Sequence, residues 1–150
     1  MDKLYFRNEK GHSLLEMTLV LLIIATVLTL PLVSLGAVAD ASERNQFIYQ
    51  LQQDLYYAQQ MALSQQLVAS VVFLNGSKEY IIRQGGEVIL RRKFQVEGTT
   101  IVQGTLSLTD ISFLPNGNVQ KSGSLTIRMN DHRYRLVLLL GKGRFYIEQL

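Results

Sequence analysis

Few side chains in this sequence are suited to chemistry. Cysteine is absent and there are two histidines, His12 and His132. That excludes a disulfide scaffold, thiolate zinc sites and a cysteine nucleophile, and it is too few imidazoles for most histidine metal sites. His132 follows Asn130-Asp131, a turn signal, so a solvated loop histidine is the default. An Asp-His neighbour pair is not a triad, whose members meet in space and need a nucleophile. Gly85-Gly86 and Gly141-x-Gly143 lack the strand-to-helix setting of nucleotide-binding loops. No catalytic residue, cofactor or metal is expected. Two sets of charges remain: one acid, Glu16, at the edge of an apolar run, and a group of cations in the second half of the chain.

Glu16 has two readings. Ser13-x-x-Glu16 before an apolar run fits a capping box, and an acid near a helix N-terminus is favoured by the helix dipole. The other reading is a charge partner for a neighbouring chain. A lone acid in hydrocarbon costs roughly 2.5–3.5 kcal/mol at mid-helix and less near the interface, so it seeks a positive group.

The cations are Arg91-Arg92-Lys93, Arg128, Arg133, Arg135, Lys142 and Arg144. Arg133 and Arg135 share a strand face by the two-residue period. With Lys142 and Arg144 they form a possible nucleic-acid contact: cations hold phosphates, and Phe94, Tyr134, Phe145 or Tyr146 could stack on bases. The plainer reading is a set of solvated strand edges, which Lys and Arg commonly protect from aggregation. Glu79, Glu87, Glu97, Asp110, Asp131 and Glu148 dilute the field. Any DNA contact should be weak and indifferent to base sequence.

The elements that must position these groups follow from the distribution of apolar residues. The chain has 150 residues, 47% hydrophobic and 18% charged, with 15 basic against 12 acidic side chains and net charge +3. That suits one domain plus an appended segment. From Met17 to Ala39 no residue is charged. A helix of that length is about what a hydrocarbon core of ~30 Å requires. Lys3, Arg7 and Lys10 precede the run, which predicts a cytoplasmic N-terminus and an exported remainder. Pro31 should kink or loosen the helix. The run suits a signal anchor, and Ala37-Val38-Ala39 resembles a secretory cleavage site, although the apolar stretch exceeds the ~7–15 residues of a normal signal core.

From Asp40 to Ala69 there is no Pro or Gly, and Ile48, Leu51, Leu55, Ala58 and Ala62 recur by threes and fours on one face. This predicts an amphipathic continuation of the helix. Beyond it, candidate strands 67–74, 79–83, 88–94, 99–102, 106–114, 125–129, 134–140 and 145–147 alternate with turn signals such as Asn75-Gly76 and Pro115-Asn116-Gly117-Asn118. Connections this short leave no room for crossover helices. The expected fold is α+β: a long N-terminal helix, transmembrane and then amphipathic, packed on small antiparallel β-sheets.

Lys10-Gly11-His12-Ser13-Leu14-Leu15-Glu16 also resembles the class III signal of type IV pilins and pseudopilins, usually G-F-T-L-L-E. Gly11, Leu14, Leu15 and Glu16 match, Ser13 replaces Thr, and His12 stands where the family has Phe. The later pattern, Phe113-Leu-Pro-Asn-Gly117 and then Gly141-Lys-Gly-Arg144, is similar to minor pseudopilins of the GspH/FimT group, especially those of Gram-positive competence pili. The resemblance implies a pilin-like fold with a leader of residues 1–11, a transmembrane and assembly helix of residues 12–39, and a head of residues 40–150. It implies cleavage between Gly11 and His12 by a prepilin peptidase, N-methylation of His12, and pairing of Glu16 with the new amine of a neighbouring subunit. It implies as partners the other major and minor pseudopilins and the membrane, crossed once, with exposure at the cell surface after assembly. The implied function is pilus assembly and DNA uptake in transformation. A DNA-receptor subunit and a type II secretion pseudopilin are the alternatives, and an exported β protein released at Ala39 is the reading outside the family.

Overall fold

A computed structural model describes residues 14–150 apart from residue 142, with backbone alone for residues 28–38. The described chain divides into two units, Met1–Asp40 and Ala41–Leu150. One helix, α1 (Leu14–Gln65), contributes to both.

In the first unit, the described side chains of residues 14–27 are all exposed. Leu, Ile, Val and Ala carry the helix, and the hydroxyls of Thr18 and Thr26 turn back on the backbone. Thr18 Oγ1 donates to the Leu15 carbonyl and Thr26 Oγ1 to that of Ile23, each at 2.8 Å. Both polar groups thereby find a partner inside an apolar helix. The backbone stays helical through Pro31, where the sequence predicts a kink or loosening. Among the described residues no helix is long and apolar enough to cross a membrane. The run expected to do so includes residues 28–38, whose side chains lie outside the description.

In the second unit, α1 presents Phe47, Leu51, Leu55, Ala58 and Ala62 to the core, all buried. Leu51, Leu55, Ala58 and Ala62 are those the periodicity predicts; Ile48 is half-buried beside them, and Phe47 was not anticipated. A fully buried leucine contributes about 1.5–3 kcal/mol, so this face holds the helix to the strands. The helix ends at Gln65, just before the strand predicted from residue 67. Gln66 takes a left-handed conformation (φ 56°), and its side chain donates to the Leu63 carbonyl at 2.7 Å. This is a C-cap without glycine.

Eight strands follow: β1 (Ala69–Leu74), β2 (Glu79–Gln84), β3 (Glu87–Lys93), β4 (Thr100–Gln103), β5 (Ile111–Phe113), β6 (Gly123–Met129), β7 (His132–Leu138) and β8 (Phe145–Gln149). They form two four-stranded antiparallel sheets, ordered β3-β2-β1-β5 and β4-β6-β7-β8. Inward residues of both sheets, with the α1 face, make one core. The α+β architecture is therefore the one the sequence predicts.

Three local expectations change. The predicted strand 106–114 shrinks to β5, because Asp110 organises a turn. Its Oδ2 accepts from the Ser107 amide at 2.9 Å, and its own amide donates to the Ser107 carbonyl at 3.2 Å. Local side-chain bonding of this kind competes with strand pairing. The predicted strand 134–140 begins at His132 and stops at Leu138, and the loop closes where the Leu139 amide donates to the Arg144 carbonyl. His132 is thus a half-buried strand residue, not a loop histidine. The Asn75-Gly76 hairpin forms, but its positive φ falls on Lys78. Asn75 serves elsewhere: its amide accepts from the Ile101 N–H at 3.0 Å and donates to the Ile101 carbonyl at 2.8 Å. The tip of the β1–β2 hairpin thereby clips the edge of β4.

Candidate assembly and nucleic-acid surfaces

The first candidate surface is the apolar segment of α1. Leu14, Leu15, Met17, Leu19, Leu21, Leu22 and Ile24 all lie open, with Leu14 83% exposed. A contiguous apolar surface of this kind marks a lipid or protein contact. Glu16 lies in the first turn of this segment and is exposed. Gly11 and His12, the predicted cleavage and methylation residues, and Ser13, the predicted cap, lie outside the described residues.

The second is a junction between the two Gly-containing loops and α1. Gln59 donates from Nε2 to the carbonyl of Gly117 at 2.7 Å and to that of Gly143 at 3.2 Å. Both glycines have positive φ, 77° and 56°. A Cβ on Gly143 would meet the Gly117 oxygen at 1.9 Å and Gln59 Nε2 at 2.1 Å, so no other side chain fits without displacing the backbone. Phe145 packs nearby against Tyr56 at 4.5 Å and Phe113 at 6.1 Å between ring centroids. The two patterns that carry the later resemblance, far apart in sequence, are one packing unit.

The cations divide into three groups. Arg91 and Arg92 are engaged by the protein itself: Arg91 pairs with Glu79, and Arg92 Nε donates to Asp54 Oδ2 at 3.2 Å. Arg133 and Arg135 are exposed on the outer face of β7, and Arg135 lies 3.4 Å from Glu148 of β8. The register sets Arg128 of β6 directly opposite Arg133. Arg144 is exposed at the other end of the β7–β8 hairpin, opposite Leu139. That is roughly 20 Å along the strand from Arg133 at ~3.3 Å per residue. Arg128, Arg133 and Arg135 thus cluster, Arg144 stands apart, and Lys142 lies outside the described residues. The signal for adding Arg128 to the set was the hairpin register across Asn130-Asp131.

Sequence reasoning missed Asp54. It falls among Leu51, Leu55 and Ala58 on the buried face of α1, and an acid at a core position was the available signal. Its carboxylate accepts from the Tyr80 hydroxyl at 2.6 Å, from Arg92 and from Gln50 Nε2 at 3.0 Å. Burial above all, and then the bond to Asp54, hold the Tyr80 phenol far above its ordinary range. The hydroxyl therefore stays protonated and donates. On the surface, Lys121 Nζ donates to Asp110 Oδ1 at 2.7 Å. That bond, aided by the Ser107 amide, holds the Asp110 carboxyl down at about 2. These arrangements fasten elements together. Among the described residues no group of acids or histidines could hold a metal.

Residues 48–143 match the family described as type II transport protein GspH. Over 144 residues, 95% of this chain and 95% of the relative, the sequence is 29% identical to "Competence protein ComGD" of Bacillus subtilis (strain 168). The fold is similar to that of the type IV minor pilin FimU of Pseudomonas aeruginosa in two crystal forms. These are 22% identical, with TM-scores of 0.58 and 0.54, and cover 71% and 69% of this chain and 91% of that one. The likeness is one of fold.

Proposed function

Since the chain belongs to the GspH family, we propose that it is a minor pseudopilin of a type IV-like competence pilus, needed for pilus assembly and for DNA uptake in transformation. The observation that carries this reading is the similarity to the competence protein, which spans 95% of both chains rather than one module. The exposed apolar segment with a single acid in its first turn supports an assembly role. In this reading residues 1–11 are a leader, residues 12–39 cross the membrane and pack in the filament, and residues 40–150 are the head. A prepilin peptidase cuts between Gly11 and His12, His12 is methylated, and Glu16 pairs with the amine so created on a neighbouring subunit. The mature chain lies in the cell membrane with its N-terminus at the cytoplasmic face and reaches the surface with the pilus.

The test is replacement of Gly11 by a large residue in the host chromosome. Full-length precursor should accumulate in the membrane, and transformation should fall to background. A mature chain beginning at Asp40 would overturn the reading. Intact transformation with loss of protein secretion would instead assign the chain to a type II secretion system.

A second role, direct DNA contact, is favoured by Arg128 opposite Arg133. Like charges directly across a sheet cost stability, so this pair suits an external anion better than the fold. Changing Arg128, Arg133 and Arg135 to Gln, with Lys142 and Arg144 as a second set, should weaken low-salt DNA binding and leave pilus assembly intact. Counterion release makes such binding fall steeply with salt. Unchanged binding in both sets would leave the chain a scaffold alone.

A further inference from the structure

Two four-stranded sheets have four outer edges, and they are treated differently. The β4 edge is clipped by the Asn75 amide at Ile101. The β5 edge is covered by the following loop, through Gln120 N–H to the Ser112 carbonyl at 2.9 Å and Leu114 N–H to the Asn118 carbonyl at 2.8 Å. The β3 edge carries three consecutive cations, Arg91-Arg92-Lys93, and its pairing with β2 is broken by an irregularity at Ile82/Arg83. Charge and bulges are the usual devices that blunt an edge. The β8 edge has no register irregularity and no run of like charge, only Glu148 within the strand. Its sequence is Phe-Tyr-Ile-Glu-Gln, and among the described residues no other strand or loop pairs with its outer side.

The hydrogen-bond phase of that edge is fixed. Leu139 N–H bonds the Arg144 carbonyl and Leu150 N–H bonds the Arg133 carbonyl, both at 2.9 Å. Antiparallel pairing alternates, so Arg144, Tyr146, Glu148 and Leu150 direct their backbone groups to β7. Phe145, Ile147 and Gln149 direct theirs outward. Arg144, Tyr146 and Glu148 stand exposed on one face.

We propose that β8 is a docking edge for a second copy of this chain, paired antiparallel to its own β8 with Tyr146 opposite Tyr146. This register satisfies both constraints. The outward groups of Phe145 meet those of the second copy's Ile147, and the reverse, as a two-fold arrangement requires. It also sets Arg144 opposite the second copy's Glu148, and Glu148 opposite the second copy's Arg144. Both pairs occupy non-hydrogen-bonded positions, where side chains come closest. Shifting one strand by two residues, so that Ile147 faces Ile147, loses both charge pairs. A further shift brings Glu148 against Glu148. The two tyrosines at the axis add a cross-strand aromatic pair, and Tyr146 is 43% exposed in the single chain. The pairing joins two four-stranded sheets into one continuous sheet. It does not depend on the competence reading.

The chain contains no cysteine, so single-cysteine variants of the full chain in detergent report the geometry directly. Cα atoms of a non-hydrogen-bonded pair lie ~4.5 Å apart, within the ~4.4–6.8 Å range of disulfides. Tyr146→Cys should form a covalent dimer under mild oxidation, and Val88→Cys, on the exposed β3 edge, should not. Adding Arg144→Glu to Tyr146→Cys should slow dimer formation by roughly five-fold, in line with loss of two cross-strand charge pairs, and adding Glu148→Lys as well should restore it. The proposal is overturned if Tyr146→Cys crosslinks no faster than Val88→Cys. It is also overturned if the charge variants have no effect, or if Tyr146→Cys in cells crosslinks only to a different subunit.

Discussion

Glu16 and Asp54 are both acids on α1, and they lie in opposite surroundings. Glu16 sits among exposed leucines, in a segment whose apolar surface the described chain leaves open. Asp54 is buried and holds Tyr80, Arg92 and Gln50. Their surroundings separate two kinds of work. Asp54 fastens the helix to β2 and β3, so its effect should be read in the stability of the head. Glu16 lies on the exposed segment of the other unit, so in the assembly reading its effect should be read when subunits meet.

The largest stability change expected is at Asp54. Asp54→Ala removes the acceptor of a buried tyrosine hydroxyl and of half-exposed Arg92. An unsatisfied buried polar group costs about 1–3 kcal/mol, and a broken buried ion pair costs more than an exposed one. Urea unfolding of the head, followed by tyrosine near-ultraviolet circular dichroism, should show a loss of about 3 kcal/mol. Tyr80→Phe should lose less, and a variant as stable as the parent would remove Asp54 from the fastening role.

Gly143→Ala comes next. The added methyl meets the Gly117 carbonyl and the Gln59 amide inside bonding distance, and positive φ adds strain of roughly 1–2 kcal/mol. Gly141 also has positive φ, but a Cβ there meets nothing within 4 Å. Gly141→Ala should therefore cost only the strain, and Gly143→Ala about 1 kcal/mol more. Equal losses would show that the contact through Gln59 carries no weight.

The two ends of α1 also differ in how far the sequence revealed them. The buried face at Leu51, Leu55, Ala58 and Ala62 was legible because helical period and burial coincide there. The strands were legible from alternation and turn residues. Boundaries failed where a side chain took over a backbone role, as at Asp110 and Gln66, and the clip from Asn75 to β4 was hidden although its hairpin was legible. Those bonds depend on which groups come close in three dimensions, and pattern carries no such information. Asp54 was hidden for the same reason: its partners lie 26 and 38 residues away. Of the candidate cations, the grouping of Arg133 with Arg135 followed from strand period. The engagement of Arg91 and Arg92 by acids, and the approach of Arg128 to Arg133, needed the register. The motif glycines were visible as a pattern, but the reason for them, a single glutamine bonding both loops, was not.

Glu16→Ala sharpens the contrast from the other side. An exposed change away from packing should move head stability by no more than about 0.5 kcal/mol. Removing an acid also makes an apolar helix easier to insert. The variant should be inserted and processed normally, yet co-purify poorly with other pseudopilins. Normal recovery of the complex would reduce Glu16 to a helix cap.

The smallest effect expected is at a third acid, Asp110, which lies on the surface but has a defined partner. The Lys121 hydrogen bond, with the Ser107 amide, lowers its carboxyl to about 2, against an ordinary value of about 3.9. A depressed acid contributes stability that is fully present above the unfolded value and is lost as pH falls through the folded one. The window therefore runs from about pH 4 down to about pH 2. Across it the Ser107–Asp110 turn should loosen and Lys121 should be released. The Asp110 carboxyl carbon resonance, followed by NMR, should show a midpoint near 2, and Lys121→Ala should move that midpoint upward. Screening by salt should do the same in part, because the pair is exposed. Asp54 is itself buried and only its partner Arg92 is half-exposed, so added salt should reduce the unfolding difference between Asp54→Ala and the parent by a smaller fraction than it moves Asp110. A salt response of equal size at both acids would mean that the contrast between a buried and an exposed acid is not set by solvent access.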